Sequence, residues 1–179
     1  MKTLMNYMKP ILLACLLCGI LSAACNKQNT EDAKLTLSLT DAPADYLKVN
    51  VEIIGFEVNH EDKGWIGLPV KQGIYDLLTL QNNVTVVLAD HVEIPYGRIT
   101  EIRLLLGENN SLQDLNSIYP LKVPSGSESG LKIKLDELVT SNQNIDILLD
   151  FDANASIIET GSGKYMLKPV LKVKSVHKY

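Results

Sequence analysis

The sequence predicts an all-β fold, an antiparallel β-sandwich of about nine short strands, behind an N-terminal export segment. Three observations carry this. From Lys34 nearly to the C-terminus, apolar and polar residues alternate with a period of two. Clusters rich in Gly, Pro, Asn and Asp interrupt the alternation at short intervals. Nowhere does an apolar pattern of helical period extend beyond two turns.

The elements follow in order. Leu35, Leu37 and Leu39 alternate with Thr36, Ser38 and Thr40, as in a half-buried strand, and Asp41-Ala42-Pro43-Ala44-Asp45 reads as a turn. Val49, Val51 and Ile53 continue the pattern, but the apolar phase then flips to Ile54, Phe56 and Val58. A phase flip beside Gly55 predicts a β-bulge at Ile53-Ile54-Gly55 or a strand that changes sheets. Glu61-Asp62-Lys63-Gly64 is a turn before a short strand at Trp65. Residues 74–80 are ambiguous, and Val84, Val86 and Leu88 mark a strand. Ile102, Leu104 and Leu106 form another, entered through Pro95-Tyr96-Gly97. Leu121 and Val123 suggest a short strand. Longer ones follow at Leu131–Leu135 and Ile145–Phe151. In the last strand Leu167, Leu171 and Val173 face inward while Lys168, Lys172 and Lys174 face out. Pro169 has no N–H to give a ladder, so an edge strand or bulge is expected there.

The first 24 residues are of another kind. Lys2 and Lys9 are their only charges, and an apolar run follows to Ala24. A basic start, a short apolar stretch and small residues before a cut describe a signal peptide. The run is shorter than the roughly 20 residues that span a bilayer. Leu21-Ser22-Ala23-Ala24-Cys25 resembles a bacterial lipobox, which implies that Cys25 is lipidated and becomes the new N-terminus. Buried acyl chains contribute about 0.8 kcal/mol per methylene, and two or more chains of the palmitate kind hold a protein stably on a membrane. The expected organisation is a lipoprotein signal peptide at 1–24, a lipidated N-terminus with polar tether at 25–33, and the β-domain at 34–179. All three cysteines lie at or before Cys25, so the β-domain has no disulfide and depends on its core.

Six ordered motifs then resemble a known family. They are Leu39-Thr40-Asp41-Ala42-Pro43, the run from Ile94 to Leu104, Val123-Pro124-Ser125-Gly126, Gly130-Leu131-Lys132, Leu149-Asp150-Phe151-Asp152 and Leu167-Lys168-Pro169-Val170. In this order they resemble the domain of unknown function 4382, found in bacterial and archaeal secreted proteins and lipoproteins. The resemblance spans roughly residues 34–174. It departs at Ile99, where an aromatic is expected nearby. It implies an immunoglobulin-like or transthyretin-like sandwich and brings no catalytic residues.

Candidate sites are few. Asp150, Asp152 and Asn154 place oxygen ligands at alternate positions, as a calcium loop does, but Ala155 and Gly161 stand where an EF-hand needs Gly and Glu. We read this segment as a solvated polar face, with calcium as the alternative, and expect no other cofactor. Ser129-Gly130-Leu131-Lys132 matches a serine-acylase spacing but runs into a strand rather than a helix. Gly161-Ser162-Gly163-Lys164 lacks the preceding Gly of a phosphate loop and reads as a hairpin turn. His60, His91 and His177 have no metal-ligand spacing and read as surface residues. Asp41 reads as an Asx turn, with ligand binding as the alternative. Arg103 is expected to pair with a carboxylate across the sheet, or else to meet a ligand. Trp65, Tyr75, Tyr96, Tyr119 and Tyr165 would form a sugar-stacking platform if they gathered outside the domain.

The chain carries 17 basic and 21 acidic residues, a net charge of −4. Without Lys2 and Lys9 the balance is 15 against 21, or −6. Such a domain is a poor partner for nucleic acid, whose phosphates need clustered cations. These readings favour a non-enzymatic binding module of the bacterial cell envelope, lipid-anchored to a membrane. By analogy that membrane is the outer one, with the domain on its periplasmic face or the cell surface. The partner is a glycan, a surface polymer or an envelope protein. The alternative is a structural or assembly subunit that pairs an exposed strand edge.

The anchor has a direct test. Intact mass of the membrane-extracted protein is expected to match residues 25–179 plus acyl chains, and Cys25→Ala is expected to abolish both the cut and the lipid. An unmodified wild-type mass would sink the anchor.

Overall fold

The computed structural model describes residues 32–124, 130–161 and 163–179. Cys25, the signal segment and most of the tether lie outside them, as do Ser125, Gly126, Ser129 and Ser162. Thirteen strands alternate along the described chain: β1 (Ala33–Asp41), β2 (Lys48–His60), β3 (Gly64–Leu68), β4 (Gly73–Asp76), β5 (Val86–Ile94), β6 (Gly97–Leu106), β7 (Ser111–Gln113), β8 (Ile118–Pro120), β9 (Leu131–Val139), β10 (Asn144–Phe151), β11 (Ile157–Glu159), β12 (Tyr165–Leu167) and β13 (Leu171–Lys178). One 3-10 turn at Leu77–Leu80 and a four-residue helix, α1 (Ala153–Ser156), are the helical elements among them. The domain is an all-β sandwich.

Three sheet groupings result. Four strands run in the order β13-β10-β1-β5, seven form a second sheet built on β8-β7-β2-β6-β9 with β3 and β4 also on β2, and β11-β12 make a small hairpin. The expected count of nine rises to thirteen because six strands have only three to five residues. Such stretches are too short to show an alternating period. The expected purely antiparallel arrangement also needs correction. β1 and β10 pair in parallel, Leu35 opposite Ile145 through Asp41 opposite Phe151. Alternation records which face a residue takes, not the direction of its neighbour.

The core has a simple origin. Leu35, Leu37 and Leu39 of β1 and Ile145, Ile147 and Leu149 of β10 join Val49, Val51, Ile53, Phe56 and Val58 of β2 and Ile102 and Leu104 of β6 in one buried apolar cluster. Fully burying a side chain such as Phe56 or Phe151 stabilises the fold by roughly 1.5–3 kcal/mol. The phase flip in β2 is a bulge: Ile53 stands opposite Leu106 and Gly55 opposite Leu105, so the register slips at Ile54. One extra residue returns Phe56 and Val58 to the core face and leaves Ile54 exposed. One short prediction fails locally, and the predicted last strand is split in two. Leu121 and Val123 flank a single parallel bridge between Lys122 and Met166 rather than forming a strand. Pro169 separates β12 from β13, which then forms an edge of the four-stranded sheet.

The corner between β5 and β6 turns on one histidine. His60, expected at the surface, is buried. Its Nε2 lies 3.0 Å from the Tyr96 carbonyl oxygen and its Nδ1 accepts from the Asp62 N–H at 3.1 Å. With Nδ1 accepting, Nε2 carries the proton and donates. The ring fills the space beneath Gly97, whose φ is +135° and where a Cβ would collide with the imidazole. Gly97→Ala is expected to destabilise the domain by about 2–4 kcal/mol, through backbone strain and this clash together. Gly64→Ala, at φ +72° with open space around it, is expected to cost about 1–2 kcal/mol. Equal costs in denaturant titrations would mean that His60 does not constrain the corner.

Candidate functional site

The described surface opens into a groove of about 390 Å³, lined by Asp45, Tyr46 and Leu47 from the loop before β2 and by Asp114, Leu115 and Asn116 from the β7–β8 turn. Backbone pairing brings the two segments together. β2 pairs with β7 from Lys48 to Asn50, and the Leu47 N–H donates to the Gln113 carbonyl at 3.2 Å.

Asp114 shapes the turn. Its Oδ1 accepts from the N–H groups of Asn116 and Ser117, each at 2.8 Å, and its Oδ2 accepts from the Tyr119 hydroxyl at 3.2 Å. These donors, the backbone pair first, hold its carboxyl below the usual carboxylate range. Tyr119 packs edge-on against Tyr165, with ring centroids 4.9 Å apart. Removal from water raises the Tyr165 phenol, and Glu159, Tyr119, Asp114 and Tyr46 add to the rise. A negative potential thus surrounds aromatic surface. Leu115 is 86% exposed, Ile118 67% and Leu47 55%. An exposed aliphatic cluster beside an open groove is the kind of surface that meets a partner.

The aromatic residues singled out by sequence divide among four places. Tyr119 and Tyr165 gather beside the groove, joined by Tyr46, which sequence reasoning passed over. Leu115 and Leu47 also escaped it, although an apolar residue set among Asp and Asn in a turn is a usable signal. Tyr75 is elsewhere and donates its hydroxyl to the Lys71 carbonyl at 2.5 Å. Tyr96 is exposed at the β5–β6 corner.

Trp65 lies on the outer face of the seven-stranded sheet. The Arg103 guanidinium sits 4.2 Å from its ring centroid and the Lys132 ammonium 5.8 Å away. Arg103 is also paired with Glu57, its cross-strand register partner. This stacked ion pair ties β3, β2, β6 and β9 together, with a value near that of a part-exposed cation–π contact, about 0.5–2 kcal/mol.

The other candidates sit at the far ends of β1 and β10. Asp41 is the last residue of β1 and is buried, rather than turning in an exposed Asx loop. Its Oδ1 accepts from the Ala153 N–H at 3.0 Å, linking β1 to the start of α1, while Oδ2 has no protein hydrogen-bond partner. Asp150 is buried and paired with Lys172 at 3.1 Å. Asp152 caps α1, accepting from the Ala155 N–H at 2.8 Å, and Asn154 is exposed on that helix. The calcium reading required these three on one strand face. The chain leaves the strand after Phe151, so Asp150, Asp152 and Asn154 do not share one. Among the described residues no three His, Cys, Asp or Glu side chains cluster as a metal would need. His91 and His177 are exposed and on separate strands.

Burial pushes the Asp41 carboxyl up to about 6 from 3.8; the Ala153 hydrogen bond and the nearby N–H groups of Gln81 and Ala42 oppose the rise, and the charge of Asp150 adds to it. Folding therefore favours the protonated acid. Its stabilisation is fully present below about pH 4 and is lost as pH rises through about 6. Asp41→Asn keeps an acceptor for Ala153 and carries no charge. Above pH 6 it is expected to raise stability by about 1–2 kcal/mol, and at pH 4 to change it little. Denaturant melts at the two pH values check this, and equal loss at both would mean that charge burial is not the cost.

Five of the six sequence motifs fall where this fold has special requirements, and half of the other, at Ser125-Gly126, lies outside the described residues. They hold the Asp41 link to α1, the Gly97 corner over His60, Gly130 at φ +71° against the Leu105 side chain and Leu104 carbonyl, the Asp152 cap, and the break at Pro169. No curated protein and no solved structure matches the chain. Residues 32–169, nearly the whole of the described domain, match the family described as "Domain of unknown function (DUF4382)", and the chain belongs to it.

Proposed function

We propose that this protein is a lipid-anchored binding module of the bacterial cell envelope, holding a surface polymer, glycan or envelope protein in the Tyr46–Asp114 groove. The carrying observation is the groove itself: an open cavity lined by two carboxylates, one of them fixed by its own turn, with Tyr46 in the lining, the Tyr119–Tyr165 pair tied to Asp114, and the most exposed leucine of the described chain at its lip. Leu115 lies in a turn whose backbone is already satisfied by Asp114, so its exposure serves no internal packing. The lipobox-like Leu21–Cys25 segment and polar tether support the envelope placement. Among the described residues no helix is long and apolar enough to cross a membrane.

The strand-pairing alternative draws less support. The β13 edge carries the exposed Lys172, Lys174 and Lys178, a pattern that discourages addition of another strand. The β5 edge is broken by register shifts around Leu37 and by His91 at φ +48°.

In-cell photocrosslinking tests the reading. A photoreactive residue at position 115 or 47 is expected to capture a discrete adduct in intact envelopes, and one at position 63, in the distant β2–β3 turn, is not. Absence of any adduct at 115 and 47, or equal labelling at 63, would count decisively against the groove.

A further inference from the structure

We infer that the groove receives basic side chains, Lys or Arg, from a peptide segment of another protein. The inference rests on the reading of the groove as the binding site and narrows its occupant. Charge comes first. The lining holds two carboxylates, Asp45 and Asp114, and no Lys or Arg. Asp114 is fixed as an anion by the two backbone N–H groups of its own turn. An anionic ligand would face uncompensated repulsion there, whereas an ammonium or guanidinium meets two anions. A net charge of −4 on the chain steers a basic partner in the same direction.

The walls add shape to this preference. Tyr46 lines the groove, and the Tyr119–Tyr165 pair is tied to Asp114 through the Tyr119 hydroxyl. Tyrosine beside carboxylate is a setting that attracts cations through both the ring face and the charge. Leu47 and Leu115 lie in the same lining, with Ile118 exposed a few residues on. A neutral sugar would leave the carboxylates without counter-charge and set its hydroxyls against bare leucine. Lys and Arg carry an aliphatic stem under a charged head, so the stem covers the leucines while the head reaches the carboxylates.

The test uses the detergent-solubilised full chain, isotope-labelled, and three probes. They are a hexapeptide alternating Leu and Lys, the same peptide with every Lys acetylated, and a neutral gluco-oligosaccharide. The Lys peptide is expected to move the amide resonances of Leu47, Leu115 and Asn116. Its affinity is expected to fall about tenfold on acetylation and to weaken as salt is raised. Asp45 is exposed in the loop before β2, so Asp45→Asn leaves the fold intact. It is expected to weaken the Lys peptide about three- to tenfold and to leave the acetylated one unchanged. Equal affinity for both peptides, or groove shifts from the oligosaccharide alone, would overturn the basic-peptide class while leaving the groove a binding site. No groove shift from any probe would overturn the inference, and the crosslinking at position 115 would then decide the broader reading on its own.

Discussion

The constraint on which this structure depends is the demand that both edges of β2 be paired. Thirteen residues long and buried at alternate positions, β2 crosses the middle of the seven-stranded sheet. Its N–H and C=O groups cannot remain without partners in the interior. Four strands answer that demand. β7 and β6 share one edge, and β4 and β3 share the other. The slip at Ile54 lets the first and second halves of β2 keep their apolar sides on the same core although the sequence phase inverts.

The groove is a consequence of the same pairing. Because β7 can reach only the first three residues of β2, the turn that follows it must lie beside the loop that precedes β2. That places Asp114, Leu115 and Asn116 against Asp45, Tyr46 and Leu47, nearly seventy positions away along the chain. Asp114 then rigidifies its turn with its own carboxylate, so that Leu115 is held outward rather than collapsing onto the core. Rigid scaffold strands with functional side chains on the connecting loops are the usual division of labour in β-proteins.

A second joint closes the other sheet. The parallel pair β1–β10 occupies its centre, and its ends carry the two buried acids, Asp41 and Asp150. Asp41 reaches the first amide of α1, and Asp152 caps the same N-terminal end. This junction lets the chain leave β10, make one turn and enter the β11–β12 hairpin before β13 returns to the sheet. The cost is a carboxyl held away from water, with one oxygen unpartnered.

The sequence by itself determined the all-β class, the inward faces of the long strands, the phase flip around Ile54 and the six motifs of the family. Each depends on local alternation or on a backbone conformation that a single residue type meets. It also marked Arg103, Tyr119 and Tyr165 as residues of interest. Only the tertiary structure decided that β1 and β10 run parallel, that His60 is buried under Gly97, and that Tyr46 and Leu115 share one groove. Strand direction, sheet order and loop proximity arise from hydrogen bonds between residues distant in the chain, and a period of two is identical whichever neighbour a strand finds. The short strands were hidden for a related reason. Three to five residues hold too few alternations to register, and they become strands only because β2 or a partner of similar length offers unpaired backbone.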